Sequence, residues 1–229
     1  GLEMTFLLAP YAARSCPVKT FNAFDPGTPK PEKPLDESLL EAFSGGSEFR
    51  ERILAAIRRG REFLDLRSTP RSEADTLTAM ADGVPVIIGG TLPDDVEGHR
   101  CGRPDALVRG DNQPDGRPGY WPVRVKPYRV LERQRRAEEL RASSLATPTQ
   151  LGPLRGFRFR AYRQGVLLEL AHHWRLLQAC GSAAGTALAG VVGIDDDLAV
   201  VEGAAHDVGA GAGDGGGRAV CAVGGDIAG

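Results

Sequence analysis

The chain has 229 residues, 41% of them hydrophobic and 25% charged, a composition that allows one sizeable core and excludes a fibrous or wholly disordered protein. Cys16, Cys101, Cys180 and Cys221 are scattered with no CxxC pair and no zinc spacing, which predicts free thiols in a reducing compartment rather than a disulfide framework. The net charge of −2 hides a segregation: residues 124–175 carry +8, between flanks at −4 and −6. Such a basic centre suits a phosphate-rich partner, or is simply an Arg-rich surface.

In chain order, Phe6–Ala9 is too short for a signal or a span, and no later apolar run reaches ~18 residues, which predicts a cytoplasmic protein with no membrane association. Gly1 is not an initiator, so the natural start is placed upstream or at Met4. Residues 1–46 are expected to be an N-terminal extension with a Pro-rich linker at 25–36. Phe49, Ile53, Leu54 and Ile57 recur at helical spacing and predict a helix over 47–59, stopped by Gly60. Glu62–Arg67 alternates as a strand does. Thr69-Pro70 and Gly83 then bracket a helix over 70–82. Val84–Ile88 reads as a short buried strand running into Gly89-Gly90, which lacks the context of a phosphate loop. Arg103–Arg109 and Tyr120–Lys126 read as two strands joined by the turn-rich segment Gly110–Gly119.

Residues 131–142, rich in Arg and Glu, are expected to be helical. Tyr162, Val166, Leu167, Leu170, Trp174 and Leu177 mark an amphipathic helix over 161–179. Two edge strands around an acidic turn are expected in 190–202, which closes a domain spanning 47–202. In residues 203–229, 23 of 27 positions are Gly, Ala, Val, Asp or Glu, so little is available to bury. That segment reads as a disordered Gly/Ala-rich tail, or as the frame-shifted end of a gene. Helix, strands, then helix predicts an α/β sandwich.

One constellation carries chemistry. Gly102-Arg103-Pro104-Asp105 opens one strand and Arg124-Val125-Lys126 closes the next, so Asp105 and Lys126 can meet at one end of a sheet. An aspartate can hold Mg²⁺ through oxygen, and a lysine can orient an attacking water. Against 24 arginines the chain has four lysines, and Lys126 is the one lysine beyond residue 33. The ordinary alternatives are a strand-start aspartate and a solvated strand-end lysine.

These residues resemble the PD-(D/E)xK nucleases of RecB type. That family places Pro-Asp on one strand, (D/E)xK on the next, a GxxD pattern met here by Gly102 and Asp105, and a later helix bearing QxxxY. The run from Gly83 to Lys126 is also similar to small actinobacterial RecB-like proteins. The resemblance covers roughly residues 50–200. It implies a restriction-endonuclease-like mixed central sheet flanked by helices, DNA as partner, Mg or Mn as cofactor, and phosphodiester hydrolysis. It further implies Asp105 as metal ligand, the Val125 carbonyl as another, and Lys126 as the residue orienting water. Two departures stand out. Arg124 replaces the second metal carboxylate, and Glu169-Leu170-Ala171-His172-His173 replaces the QxxxY helix pattern. A guanidinium ~5 Å from a divalent cation costs about 6–7 kcal/mol at an effective dielectric of ~20. Glu169 could compensate, either by ligating the metal or by pairing with Arg124, or it is a solvent-facing helical residue.

Other candidates are weaker. Glu73 and Asp75 lie where related enzymes carry a further acid, or are first-turn acids favoured by the helix dipole. His99 and Cys101 lack further ligands. His172 and His173 cannot share a helix face, and a structural role is expected for them. Arg155, Arg158, Arg160 and Arg163 interleave with Phe157, Phe159 and Tyr162, as a nucleic-acid stripe or as a strand with its rings in the core. Three readings stay open: a Mg-dependent DNA nuclease impaired by Arg124, a catalytically silent nuclease-like nucleic-acid-binding domain, and the non-functional product of a decayed or frame-shifted gene.

Overall fold

A computed structural model describes residues 6–13, 18, 27, 37–59, 62–69, 72–135, 140–160, 164–194, 197–202 and 219–223. The elements in order are α1 (Pro10–Ala13), α2 (Glu37–Arg58), β1 (Phe63–Asp65), α3 (Ser72–Ala81), β2 (Val86–Ile88), β3 (Ala106–Arg109) and β4 (Tyr120–Val125). They continue with β5 (Leu131–Arg133), β6 (Leu140–Ala142), β7 (Gly152–Leu154), β8 (Phe157–Phe159), α4 (Gln164–Ala179), β9 (Leu188–Val192), β10 (Asp197–Glu202) and β11 (Ala219–Val223). Among these residues no helix is long and apolar enough to cross a membrane.

The fold is mixed α/β. A seven-stranded sheet runs in the order β1-β2-β3-β4-β9-β10-β11. β1 pairs with β2, and β4 with β9, in parallel; the remaining neighbours are antiparallel. Alternation along the central strands separates the two faces. Val86, Ile88, Ala106, Val108, Trp121, Val123 and Val125 form one face and pack with Phe49, Ile53, Leu54 and Ile57 of α2. Ile87, Leu107 and Tyr120 form the other, packing with Ala79 and Met80 of α3 and with Leu176 and Leu177 of α4. Val166 and Leu170 of α4 extend that layer over Ala189 and Val191. Each such Leu or Ile removed from water stabilises the fold by about 1.5–3 kcal/mol. The Tyr120 hydroxyl, buried here, donates to the Val84 carbonyl at 2.7 Å, and burial pushes its phenol up to about 12.

The structure corrects three expectations. Residues 131–142 do not form a helix: Leu131–Arg133 pairs with Phe157–Phe159, and Leu140–Ala142 with Gly152–Leu154, while residues 136–139 lie outside the described residues. Leu131 and Leu140 point inward from these paired strands and are buried, and Glu132 pairs across the strands with Arg158 at 2.5 Å. β9 and β10 form an antiparallel pair but lie inside the sheet and not at its edge, β9 with all five residues buried. Ala219–Val223, expected in a disordered tail, pairs with β10; residues 203–218 and 224–229 lie outside the described residues. Phe6–Ala13, within the expected N-terminal extension, meets the sheet domain through a parallel bridge from Leu8 to Arg100.

Candidate functional site

Strand geometry brings the sequence candidates together. Val123 and Val125 point toward α2, so Arg124 between them and Lys126 after them point toward α4. Ala106 pairs with Val123, and the Asp105 N–H donates to the Val123 carbonyl at 3.0 Å, which sets Asp105 across from Arg124. From the opposite side, α4 turns Glu169, Leu170 and His173 inward, all buried. Asp105, Arg124, Lys126 and Glu169 therefore converge at one end of the β3–β4 pair.

The ion pairs are close and shielded. Nε and Nη2 of Arg124 both lie 3.1 Å from Glu169 Oε2, and Lys126 Nζ lies 2.6 Å from the same oxygen. Arg124 Nη1 stands 3.6 Å from Asp105 Oδ2, and the Val125 N–H donates to that oxygen at 2.7 Å. Arg50 of α2 reaches Asp105 Oδ1 with Nε at 3.0 Å. The carboxylates lie deepest, at 3% side-chain exposure for Glu169 and 9% for Asp105, against 45% for Arg50. Desolvating such charges costs several kcal/mol per ion, and mutual pairing offsets it.

Arg50 was missed by sequence reasoning, because an arginine on the polar side of an amphipathic helix carries no mark of a distant acid. Val125 contributes its N–H to Asp105, and its side chain packs with the α2 residues.

A divalent cation needs open oxygen lone pairs. Glu169 Oε2 already meets Arg124 and Lys126, Asp105 Oδ1 meets Arg50, and Asp105 Oδ2 meets Val125 and Arg124. Among the described residues no group of three or more His, Cys, Asp or Glu is placed to hold a metal ion. The residues present, with a guanidinium between the two carboxylates, do not fit Mg²⁺ or Mn²⁺.

The three described histidines, His99, His172 and His173, serve packing and backbone contacts. His172 Nε2 donates to the Cys101 carbonyl at 2.9 Å, and burial lowers its pKa. His173 is fully buried and held neutral, its pKa well below the usual value through burial and then through the charge of Arg124. Neither of its ring nitrogens finds a hydrogen-bond partner among the described residues. His99 stacks on Phe6 with ring centroids 4.8 Å apart, and so serves the N-terminal segment. Glu73 and Asp75 stay in the first turn of α3 and pair with none of the site residues.

Arg158 is exposed and paired with Glu132, and Arg160 Nε donates to the Leu131 carbonyl at 3.1 Å. Arg155 is exposed, and Arg163 lies outside the described residues. Phe157 and Phe159 pack against the core layer around Leu131 and Leu170, as a strand with its rings inward does. No protein-family model, no curated protein sequence and no solved structure matches this chain.

Proposed function

We propose that this protein is a nuclease-like nucleic-acid-binding domain of PD-(D/E)xK type whose metal position is filled by Arg124. The observation that carries the reading is the guanidinium of Arg124 held between Asp105 and Glu169. The mixed sheet between helices, with Pro104-Asp105 on one strand, Lys126 ending the next and a later helix supplying Glu169, supports the restriction-endonuclease-like assignment. The residues act here as a charge assembly. Two buried carboxylates fix three cations, and those cations face a phosphate-bearing partner. The test is binding to short DNA in EDTA across a salt series, alongside incubation of DNA with MgCl₂ or MnCl₂. The expected result is salt-dependent binding without cleavage, and absence of binding at low salt rejects the reading.

A second reading, a hydrolytic nuclease, is favoured by the convergence of Asp105, Lys126 and Glu169. Cleavage in MnCl₂ that D105N abolishes would establish it.

A further inference from the structure

We infer that nucleic-acid phosphate is gripped at the rim of this site by the guanidinium groups of Arg50 and Arg103, and not by the Arg155–Arg160 hairpin. The inference rests on the reading above and names the residues that do the binding. Arg50 spends Nε on Asp105 Oδ1 at 3.0 Å. Its outer edge, Nη1 with Nη2, makes no hydrogen bond or ion pair with any described residue, and the side chain is 45% exposed. That edge is a two-donor fork whose spacing matches two oxygens of one phosphate. The bond to Asp105 fixes the guanidinium plane in advance, which lowers the ordering cost of binding.

Arg103 stands two residues before Asp105, exposed, with no ion pair to a described acid, and its carbonyl accepts from Arg124 Nη1 at 3.4 Å. Depth decides the sign of the field. Arg50, Arg124 and Lys126 pair with two carboxylates, and the carboxylates are the least exposed side chains of these ion pairs. An approaching anion meets the cations first.

The hairpin is less suited. Arg158 is paired with Glu132 at 2.5 Å, Arg160 is tied to the Leu131 carbonyl, and Phe157 and Phe159 pack against the core, away from any stacking role.

The test is fluorescence anisotropy with a labelled ~20-nucleotide DNA, single-stranded and duplex, in EDTA from ~50 to ~200 mM salt. R50Q/R103Q should bind at least about tenfold more weakly, with the slope of log affinity against log salt reduced by about 2. R50K/R103K keeps both charges and removes both forks. It should keep the wild-type slope and lose about threefold in affinity, and it guards against a folding artefact in the glutamine pair. Wild-type affinity in both double variants overturns the inference while leaving the nucleic-acid-binding reading intact. Loss of binding in R155A/R158A with R50Q/R103Q unaffected also overturns it, assigning the grip to the hairpin. Failure of the wild-type protein to bind DNA overturns both.

Discussion

Glu169 offers one oxygen, Oε2, to both Nε and Nη2 of Arg124, each at 3.1 Å, within a side chain only 3% exposed. The pair is therefore a buried crosslink between α4 and β4. Replacing Glu169 with Gln leaves Arg124 and Lys126 without their shared acid. That should lower the free energy of unfolding in urea by about 3 kcal/mol. R124M/E169Q, which removes the pair together, should recover much of the loss. Additive effects, with a coupling below ~0.5 kcal/mol, would show that the two side chains do not depend on each other.

The same crosslink governs metal binding. Wild-type protein should give no calorimetric response to MgCl₂ and no change in Tm with MnCl₂ or EDTA, because Arg124 already occupies the carboxylates. Arg124→Asp exchanges that cation for a third acid, and MnCl₂ should then raise Tm by several degrees through mass action. A rise in wild-type Tm on adding MnCl₂ would show that the carboxylates remain open to a divalent cation.

Stability should fall on mild acidification. His173 and His172 are buried, and both titrate below the ordinary histidine value in the folded state. The unfolded chain therefore binds protons first. The stability these residues confer is full above about pH 6.5 and is lost as pH falls below it, by up to about 1.4 kcal/mol per pH unit for each histidine. Urea unfolding at pH 7.5 and 5.5 measures the drop. His173→Gln should shrink it, and an unchanged drop would assign the effect to other groups.

Gly102 meets α4 and the N-terminal segment at close range: an added Cβ would lie 3.0 Å from His173 Nε2 and 3.1 Å from Pro10 Cγ. Gly102→Ala should cost about 1–2 kcal/mol by overpacking. H173A should relieve part of that cost in the double variant. A Tm equal to wild type for Gly102→Ala alone would show that the contact yields freely.

The convergence at the sheet end was legible because it rests on local rules. Period-two alternation puts Arg124 and Lys126 on one face, and Pro104-Asp105 and Lys126 mark the ends of two neighbouring strands, whereas helical spacing alone leaves Glu169 between an inward and a solvent-facing place. What escaped depends on distant partners. Leu131–Arg133 is a strand because Phe157–Phe159 returns to it some 25 residues later, and Arg/Glu richness alone suggests a helix. Ala219–Val223 was lost in the average over its Gly-rich surroundings, although Val and Cys within it suit a strand. Pairing of Arg50 with Asp105 needs α2 laid across the sheet, which no local pattern reports.

The parallel bridge from Leu8 to Arg100 also decides where an autonomous unit begins. The Leu8 N–H donates to the His99 carbonyl at 2.8 Å, the Cys101 N–H donates to the Leu8 carbonyl at 3.0 Å, and Pro10 rests beside Gly102. Phe6 stacks on His99, whose backbone sits in the left-handed region at φ 53°. A polypeptide trimmed to start at residue 14 would leave these amides and carbonyls to water and release the His99 turn. A fragment that keeps these contacts begins at or before Phe6, about forty residues upstream of the boundary that helical periodicity suggests.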